Sequence, residues 1–294
     1  MKTFKDAVRD SDFALCAELP LNPDSSRESL LSQAKSLSAC TDALYIPDNR
    51  FGRIHMSSLA ASAVLLQNGY DPIMELSCRN RNKVALLSDL LGARELGVSN
   101  LMLVRGKRTP AEIQAKQTFA VDANVVELLG LATNVYRDEN KVRGDAFLIG
   151  TMATIHAPGD QVNPETLNGK IQAGAQVLQT QLCLNSDLLQ RYMKYLRSEH
   201  VTRSAFVIVG TCPIPSYEAA CELRDNQSHL RIPDKVLRRL KQAHDPELEG
   251  IKICAEFLQE AKEIPGVSGA RIICPTNIDS IPKTIELAGL QKEQ

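Results

Sequence analysis

Polar residues capable of acid–base chemistry or anion binding follow several short apolar runs of this 294-residue sequence. Glu18 and Asp48 come one and two residues after the first two runs, and Arg79 comes three residues after the third. A carboxyl group with a raised pKa can donate a proton near neutral pH, and a guanidinium group binds anions. These three residues are therefore candidates for catalysis and substrate binding.

The later runs end in the same way. Arg105, Gly106 and Lys107 directly follow the fourth run, His156 comes after the fifth, and Gln181 lies at the end of the sixth. A glutamine amide can both donate and accept a hydrogen bond, which suits the edge of a heterocycle. Polar residues at the ends of successive strands are typical of the active-site face of a barrel of parallel strands.

The apolar runs alternate with segments of helical period along the whole chain. The runs contain few polar residues, as expected for parallel strands that are buried on both faces. They predict strands over residues 13–17, 43–46, 73–76, 101–104, 147–149, 177–178, 205–209 and 271–274. Helical periodicity predicts helices over residues 26–37, 57–68, 83–96, 122–135, 166–173, 188–196, 217–223, 233–243, 246–263 and 281–287.

This alternation predicts an α/β protein with a (β/α)8 TIM barrel as its single domain, over residues 1–294. An open doubly wound sheet is less compatible, because no glycine-rich dinucleotide fingerprint follows the first strand.

Composition restricts the class of protein further. Hydrophobic residues make up 44% of the chain and charged residues 23%, and the net charge of −1 gives no reason to expect nucleic-acid binding. The eight cysteines form no C-x-x-C pair, so we expect reduced thiols, no metal site and a cytoplasmic protein. No apolar run approaches the roughly 20 residues that cross a bilayer, so no membrane association is expected. The sequence leaves open whether the protein forms a homo-oligomer.

Two segments carry a resemblance to a known family. Glu75–Gly106 and Lys170–Gln181 resemble the corresponding blocks of the methylenetetrahydrofolate reductase family, whose catalytic domain is a TIM barrel. Shorter similarities around Glu18 and before the last strand extend the resemblance over nearly the whole chain, in order.

The resemblance implies roles for four candidates toward a folate substrate. Glu18 matches the family's general acid and Gln181 its substrate-binding glutamine, while Asp48 would meet the pterin amidine and Arg79 an anionic group. Structural alternatives are a surface ion pair for Glu18, a core amide bonded to a neighbouring loop for Gln181, a solvated loop position for Asp48 and a helix cap for Arg79.

The resemblance also implies a cofactor site of Arg105, Gly106, Lys107, His156 and Lys170. Lys107 stands where the family has an aspartate, and several other flavin contacts also differ. We therefore expect NAD(P)H as the reductant and leave FAD binding open.

The expected activity is NAD(P)H-dependent reduction of 5,10-methylenetetrahydrofolate to 5-methyltetrahydrofolate, through FAD or by direct hydride transfer, in one-carbon and methionine metabolism. The alternatives are a folate-dependent methyl or one-carbon transferase on the same barrel, and a folate-binding relative without catalysis.

Overall fold

Eight parallel strands hydrogen-bond in chain order and close into a barrel. The computed structural model describes residues 3–10, 13–79, 81–106, 123–135, 146–156, 164–226, 230, 232–273 and 277–291. The strands are β1 (Ala14–Glu18), β2 (Ala43–Ile46), β3 (Pro72–Ser77), β4 (Asn100–Val104), β5 (Leu148–Ala153), β6 (Val177–Leu182), β7 (Phe206–Thr211) and β8 (Val267–Ile272). Strand β8 pairs back onto β1, with Gly269 opposite Ala14. The predicted (β/α)8 TIM barrel is confirmed.

Helices pack around this barrel and across its amino-terminal end. Among the described residues they are α1 (Phe4–Arg9), α2 (Arg27–Ser38), α3 (Ser58–Gln67), α4 (Lys83–Leu96), α5 (Val125–Asn134), α6 (Pro164–Gln172), α7 (Ser186–Ser198), α8 (Tyr217–Asn226), α9 (Asp234–Gln242), α10 (Pro246–Glu263) and α11 (Ser280–Leu287). Side-chain caps fix several starts: Asn82 accepts from the amide of Ala85 at 2.9 Å at the start of α4.

The interior of the barrel is apolar at its amino-terminal end. Alternate strand residues such as Ala14, Cys16 and Ile73 point inward, as the two-residue period of a strand requires. Helix α1 packs Phe4 into this cluster, and the Phe4 amide donates to a carboxylate oxygen of Asp71 at 2.8 Å. One end of the barrel is thus filled by hydrocarbon, which leaves the carboxyl ends of the strands for polar groups.

Two of the differences between the structure and the sequence prediction concern α1 and β8. Helix α1 was not predicted, because its six residues are too few to show a helical period. Strand β8 was predicted over residues 271–274 but covers Val267–Ile272. Its first half contains glycine and serine, whose weak strand propensity concealed it. This difference places Arg271 inside the strand.

Candidate active site

Glu18 lies at the carboxyl end of β1 and is held by two arginines. Its side chain is 1% exposed; Oε2 pairs with Arg271 of β8, and Oε1 pairs with Arg50 from the segment after β2. Arg271 is itself buried. A carboxylate taken out of water needs such partners, because burying an unpaired charge costs roughly several kcal/mol per ion. The ion pairs of Glu18 are therefore buried, and the alternative of a surface ion pair is wrong.

Arg271 connects Glu18 to a second carboxyl group. Its guanidinium carbon lies 3.7 Å from the centre of the Tyr45 ring, within the range of a cation–π contact. The Tyr45 hydroxyl donates to Oε2 of Glu75, on the neighbouring strand β3. The other oxygen of Glu75 accepts from the main-chain amide of Asp48 at a longer 3.3 Å. Four strands, β8, β1, β2 and β3, therefore contribute to one polar cluster.

Two groups of the cluster, Glu75 and Tyr45, have raised pKa values. Burial raises the pKa of Glu75 to about 7, against the lowering effects of Arg271 and the Tyr45 hydroxyl, and the charges of Asp48 and Glu18 add to the increase. Burial also raises the pKa of Tyr45 well above its usual value, and Glu75 contributes to that increase. Carboxyl groups with a raised pKa are frequent at catalytic sites because they can exchange a proton near neutral pH.

Asp48 lies two residues beyond β2, where it is buried rather than solvated. Arg81 contacts both of its oxygens, at 2.6 and 3.1 Å, and also contacts Asp89 at 3.0 Å. The amide and hydroxyl of Ser77 each donate to Asp48 Oδ2 at 2.8 Å. Asp48 thus ties the ends of β2 and β3 together, and its role toward a pterin stays a prediction.

Gln181 and Lys170 both contact the end of β5. The Gln181 side chain accepts from the amide of Ile155 at 2.8 Å and donates to its carbonyl at 3.4 Å. Lys170 Nζ donates to the carbonyl of Met152 at 2.8 Å, and burial lowers the pKa of this lysine. Gln181 therefore makes the neighbouring-loop contact that was one alternative for it, and its position at a strand end remains compatible with ligand binding.

The remaining candidates occupy the ends of β3, β4 and β5. Arg79 Nε is buried, and no hydrogen-bond partner for it is found among the described residues. Asn82, not Arg79, caps α4. Gly106 has a φ of +81°, and a Cβ at this position would lie 2.9 Å from the Cβ of Ser77, so a side chain there would clash. Arg105 is exposed.

His156 lies beyond the end of β5, with its ring centre 6.4 Å from that of Tyr192 in α7. Lys107, where the charge differs from the family pattern, lies outside the described residues. Its proposed effect on a cofactor site therefore stays a prediction.

Sequence reasoning did not select Tyr45, Glu75 or Arg271 as site residues. A sequence signal was available for the last two, because Glu75 lies inside an apolar run and Arg271 begins one, and a charged residue there is costly to bury unless it is paired. Their partners could not be read from the sequence, since Arg271 and Glu18 lie 253 positions apart.

The described residues contain neither a cluster of metal ligands nor a membrane-spanning helix. No group of three or more His, Cys, Asp or Glu side chains in that part of the chain could hold a metal ion. No described helix has the length and apolar character needed to span a membrane.

Comparison with known sequences shows similarity over most of the chain. A family model described as methylenetetrahydrofolate reductase matches residues 14–273. A probable methylenetetrahydrofolate reductase (NADPH) from Caenorhabditis elegans is 23% identical over 249 residues, which cover 82% of this chain and 35% of the relative. The chain thus spans about a third of the length of that curated relative.

Comparison with solved structures shows the same fold. An uncharacterized protein from Clostridium thermocellum, which binds two copies of 5-methyl-5,6,7,8-tetrahydrofolic acid, superposes with a TM-score of 0.68 at 15% identity, and the match covers 97% of each chain. An oxaloacetate acetylhydrolase superposes with a TM-score of 0.54 at 11% identity over 97% of this chain and 84% of the other. At sequence identities this low, the similarity shows a shared fold and nothing more.

Proposed function

This chain belongs to the methylenetetrahydrofolate reductase family, and from that premise we propose that it reduces 5,10-methylenetetrahydrofolate to 5-methyltetrahydrofolate with NAD(P)H. The reaction needs a proton on N10, so that the methylene bridge opens, and a hydride at the exocyclic carbon of the 5-iminium cation that results. The observation that carries the proposal is the carboxyl cluster of Glu18 and Glu75 at the barrel mouth.

Two carboxyl groups meet both needs of this chemistry. One protonated carboxyl can supply the proton, and carboxylate charge stabilises the cation that forms next. We propose that Glu18 supplies the proton, as the resemblance to the family implies. Glu18 ends β1, Glu75 lies two residues before the end of β3, and both are close to Arg271, so we expect a pterin placed over the barrel mouth to meet both.

The substrate contacts that we propose follow the geometry of the strand ends. Gln181 presents an amide already aligned by the backbone of Ile155. Arg79 has a buried nitrogen to which no described group is bonded, and it would take an anionic part of the folate. Asp48, held by Arg81 and Ser77, would present its rigid carboxylate to the pterin amidine.

For the reductant we propose direct hydride transfer from NAD(P)H. The iminium is itself a hydride acceptor, so the site need only hold nicotinamide against the pterin. The described residues do not fit the predicted flavin site well: Lys170 donates to a main-chain carbonyl of its own barrel, and burial lowers its pKa. We therefore propose that the hydride passes directly from the nicotinamide to the folate.

The test is turnover with isotopically labelled nicotinamide. Purified protein is mixed with methylenetetrahydrofolate and NADH or NADPH that carries deuterium at C4. We expect nicotinamide oxidation and 5-methyltetrahydrofolate with deuterium in its methyl group. Passage through a flavin would replace that deuterium by solvent hydrogen. Glu260→Gln, an exposed change on α10, is the matched control for Glu18→Gln, which should reduce turnover about 10²- to 10⁴-fold.

Two outcomes would overturn the reductase proposal. Tight binding of methyltetrahydrofolate without nicotinamide oxidation would make the chain a binding relative, an alternative favoured by the ligand of the Clostridium thermocellum protein. Transfer of the methyl group to an added acceptor, again without nicotinamide oxidation, would make it a transferase.

A further inference from the structure

The two arginines that pair with Glu18 differ in how tightly the protein encloses them. Arg271 belongs to strand β8, its side chain is 9% exposed, and its guanidinium carbon lies 3.7 Å from the centre of the Tyr45 ring. Arg50 comes from the segment after β2, and its side chain is 25% exposed. Arg271 is therefore held inside the barrel, whereas Arg50 is the partner of Glu18 that borders on solvent.

The main chain around Arg50 is fixed by a short turn. One turn of 3-10 helix begins at Arg50, directly after Asn49, which has the left-handed conformation (φ +50°, ψ +56°) that asparagine tolerates. The Asn49 side chain donates to Asp48 at 3.1 Å, and the Arg50 amide donates to the His55 ring at 3.3 Å. A change of partner by Arg50 therefore needs rotation of its side chain and no movement of the loop.

The ion pair with Arg50 occupies an oxygen of Glu18 that the proposed chemistry needs. Arg271 pairs with Oε2 and Arg50 with Oε1, and a guanidinium group on each oxygen stabilises the carboxylate anion. A general acid must instead carry a proton on one oxygen and bring it within hydrogen-bond distance of the substrate. Oε1 is the oxygen that rotation of one partly exposed side chain would release.

We propose that Arg50 is a replaceable partner of Glu18: it turns toward solvent when folate binds, and Oε1 then takes a proton from water and delivers it to N10. The inference rests on the proposed reductase function and keeps Glu18 as its acid. Arg50 is a positioning residue in this scheme, because it acts through Glu18 and touches no reacting atom.

Folate and Arg50 compete for one position in this scheme. N10 must come within hydrogen-bond distance of Oε1 to receive the proton, and a guanidinium nitrogen of Arg50 lies there in the structure. Because Arg271 stays on Oε2, the carboxyl group keeps one charged partner after Arg50 has left. Loss of the other positive neighbour favours the neutral form of Glu18, which is the form that the reaction uses.

The proton transfer balances with water and NAD(P)H as the other reactants. Water supplies the proton to Oε1 as Arg50 leaves. The O–H bond of Glu18 then breaks and an N10–H bond forms, and the bond between N10 and the methylene carbon breaks with its electron pair kept by N10. The lone pair of N5 forms the iminium double bond, which a hydride from NAD(P)H reduces to the methyl group. Glu18 is left as a carboxylate, to which Arg50 returns when the product leaves.

Other titratable groups near Glu18 must be separated from it in any test. Among the described residues, the titratable and charged groups that face it are Cys16 of β1, Tyr45 of β2, Arg50, Glu75 of β3 and Arg271 of β8. Burial raises the pKa of Cys16 to about 12 and that of Tyr45 well above its usual value, whereas burial raises the pKa of Glu75 to about 7. Glu75→Gln, which is neutral at every pH, is therefore the background control.

The first test uses binding alone. Calorimetric titration with 5-methyltetrahydrofolate at neutral pH, in buffers of different ionisation enthalpy, gives both Kd and the number of protons taken up. We expect uptake of up to about one proton that persists in Glu75→Gln and Glu260→Gln and is absent from Glu18→Gln. Arg50→Ala should bind about two- to fivefold more tightly, because no ion pair has to be broken. Arg50→Lys keeps the charge and should resemble the wild type.

The second test compares two pH profiles. The profile of kcat/KM reports the free protein and that of kcat the folate complex, and each falls with rising pH when the acid loses its proton. Because Arg50 stabilises the ionised Glu18 only in the free protein, the fall in kcat/KM should come at lower pH than the fall in kcat. This separation should persist in Arg50→Lys and Glu75→Gln. Arg50→Ala should move the fall in kcat/KM up to that in kcat and leave the kcat profile in place.

These measurements separate the inference from the function on which it rests. If the wild type binds 5-methyltetrahydrofolate with proton uptake that requires Glu18 but does not oxidise NAD(P)H, the reductase proposal fails and the exchange of Arg50 stands. If turnover occurs, the inference alone is overturned when proton uptake does not depend on Glu18, when Arg50→Ala weakens folate binding, or when the two pH profiles of the wild type coincide. Absence of folate binding overturns both.

Discussion

At the scale of single residues, three carboxylates at the barrel mouth differ in what surrounds them. Glu18 and Asp48 could be selected from the sequence because each follows an apolar run. Glu75 could be noticed as a charge inside an apolar run, but its protonation could not be predicted, since its pKa depends on burial and on Arg271 and Tyr45 from other strands. Position relative to a strand is therefore readable from the sequence, whereas charge state is set by tertiary partners.

The Asp48 ion pair gives a residue-scale prediction. Arg81→Ala removes both guanidinium contacts from a buried carboxylate. We expect the free energy of unfolding to fall by about 2 to 3 kcal/mol, because the Asp48 charge loses its partner while Ser77 still donates two hydrogen bonds. Denaturant unfolding measures the change.

The matched control for that prediction is Lys83→Ala. Lys83 pairs with Glu127 at 3.5 Å, but both side chains are about half exposed. We expect a loss below about 1 kcal/mol, as for other surface pairs. Equal losses in the two variants would contradict the buried role that we assign to Arg81.

At the scale of elements, the predicted helices and strands agree with the structure where the periodic pattern is long. Helix α4 over Lys83–Leu96 and helix α10 over Pro246–Glu263 match their predicted ranges. Strand β6 was predicted over residues 177–178 but extends to Leu182, because Gln179, Thr180 and Gln181 interrupt the apolar pattern. Polar residues at the site end of a strand hide its true length, so strand ends next to the site were predicted least well.

Helix α10 gives an element-scale prediction, since it approaches the loop after β7 very closely. A Cβ added at Gly250 would lie 1.9 Å from the main-chain oxygen of Ile214. Gly250→Ala must push the helix away from that loop, and we expect the free energy of unfolding to fall by about 2 to 3 kcal/mol. Thermal or denaturant unfolding provides the measurement.

Gly130→Ala in helix α5 serves as its control, because nothing lies within 4 Å of the added methyl group. There the better helix propensity of alanine should stabilise the protein by up to about 1 kcal/mol. Destabilisation by Gly130→Ala as large as that by Gly250→Ala would show that close approach is not the cause.

At the scale of the whole molecule, the closed barrel separates an apolar end from a charged end. Cys16 and Glu18 are both inward residues of β1, yet the first packs with hydrocarbon and the second pairs with arginines. A single strand thus leads from the filled interior to the site. Because the charges are buried at one end of a cooperative domain, their protonation affects the stability of the whole fold.

The last prediction concerns the pH dependence of that stability. The pKa of Glu75 is raised from 4.5 to about 7 by folding, so between these values the folded state binds a proton that the unfolded state does not. Stability from this group is therefore fully present below pH 4.5 and is lost as pH rises through about 7, by at most about 3 kcal/mol. Glu75→Gln, which stays neutral, should lack this loss.

The measurement is the free energy of unfolding of wild type, Glu75→Gln and Glu260→Gln as a function of pH. The difference between Glu75→Gln and wild type should grow in favour of the variant as pH rises across this window and then stay constant. Glu260→Gln should run parallel to wild type, because Glu260 is exposed. A constant difference between Glu75→Gln and wild type at all pH values would mean that the carboxyl of Glu75 titrates alike in the folded and unfolded chain, and its burial at the barrel mouth would then have no effect on its proton.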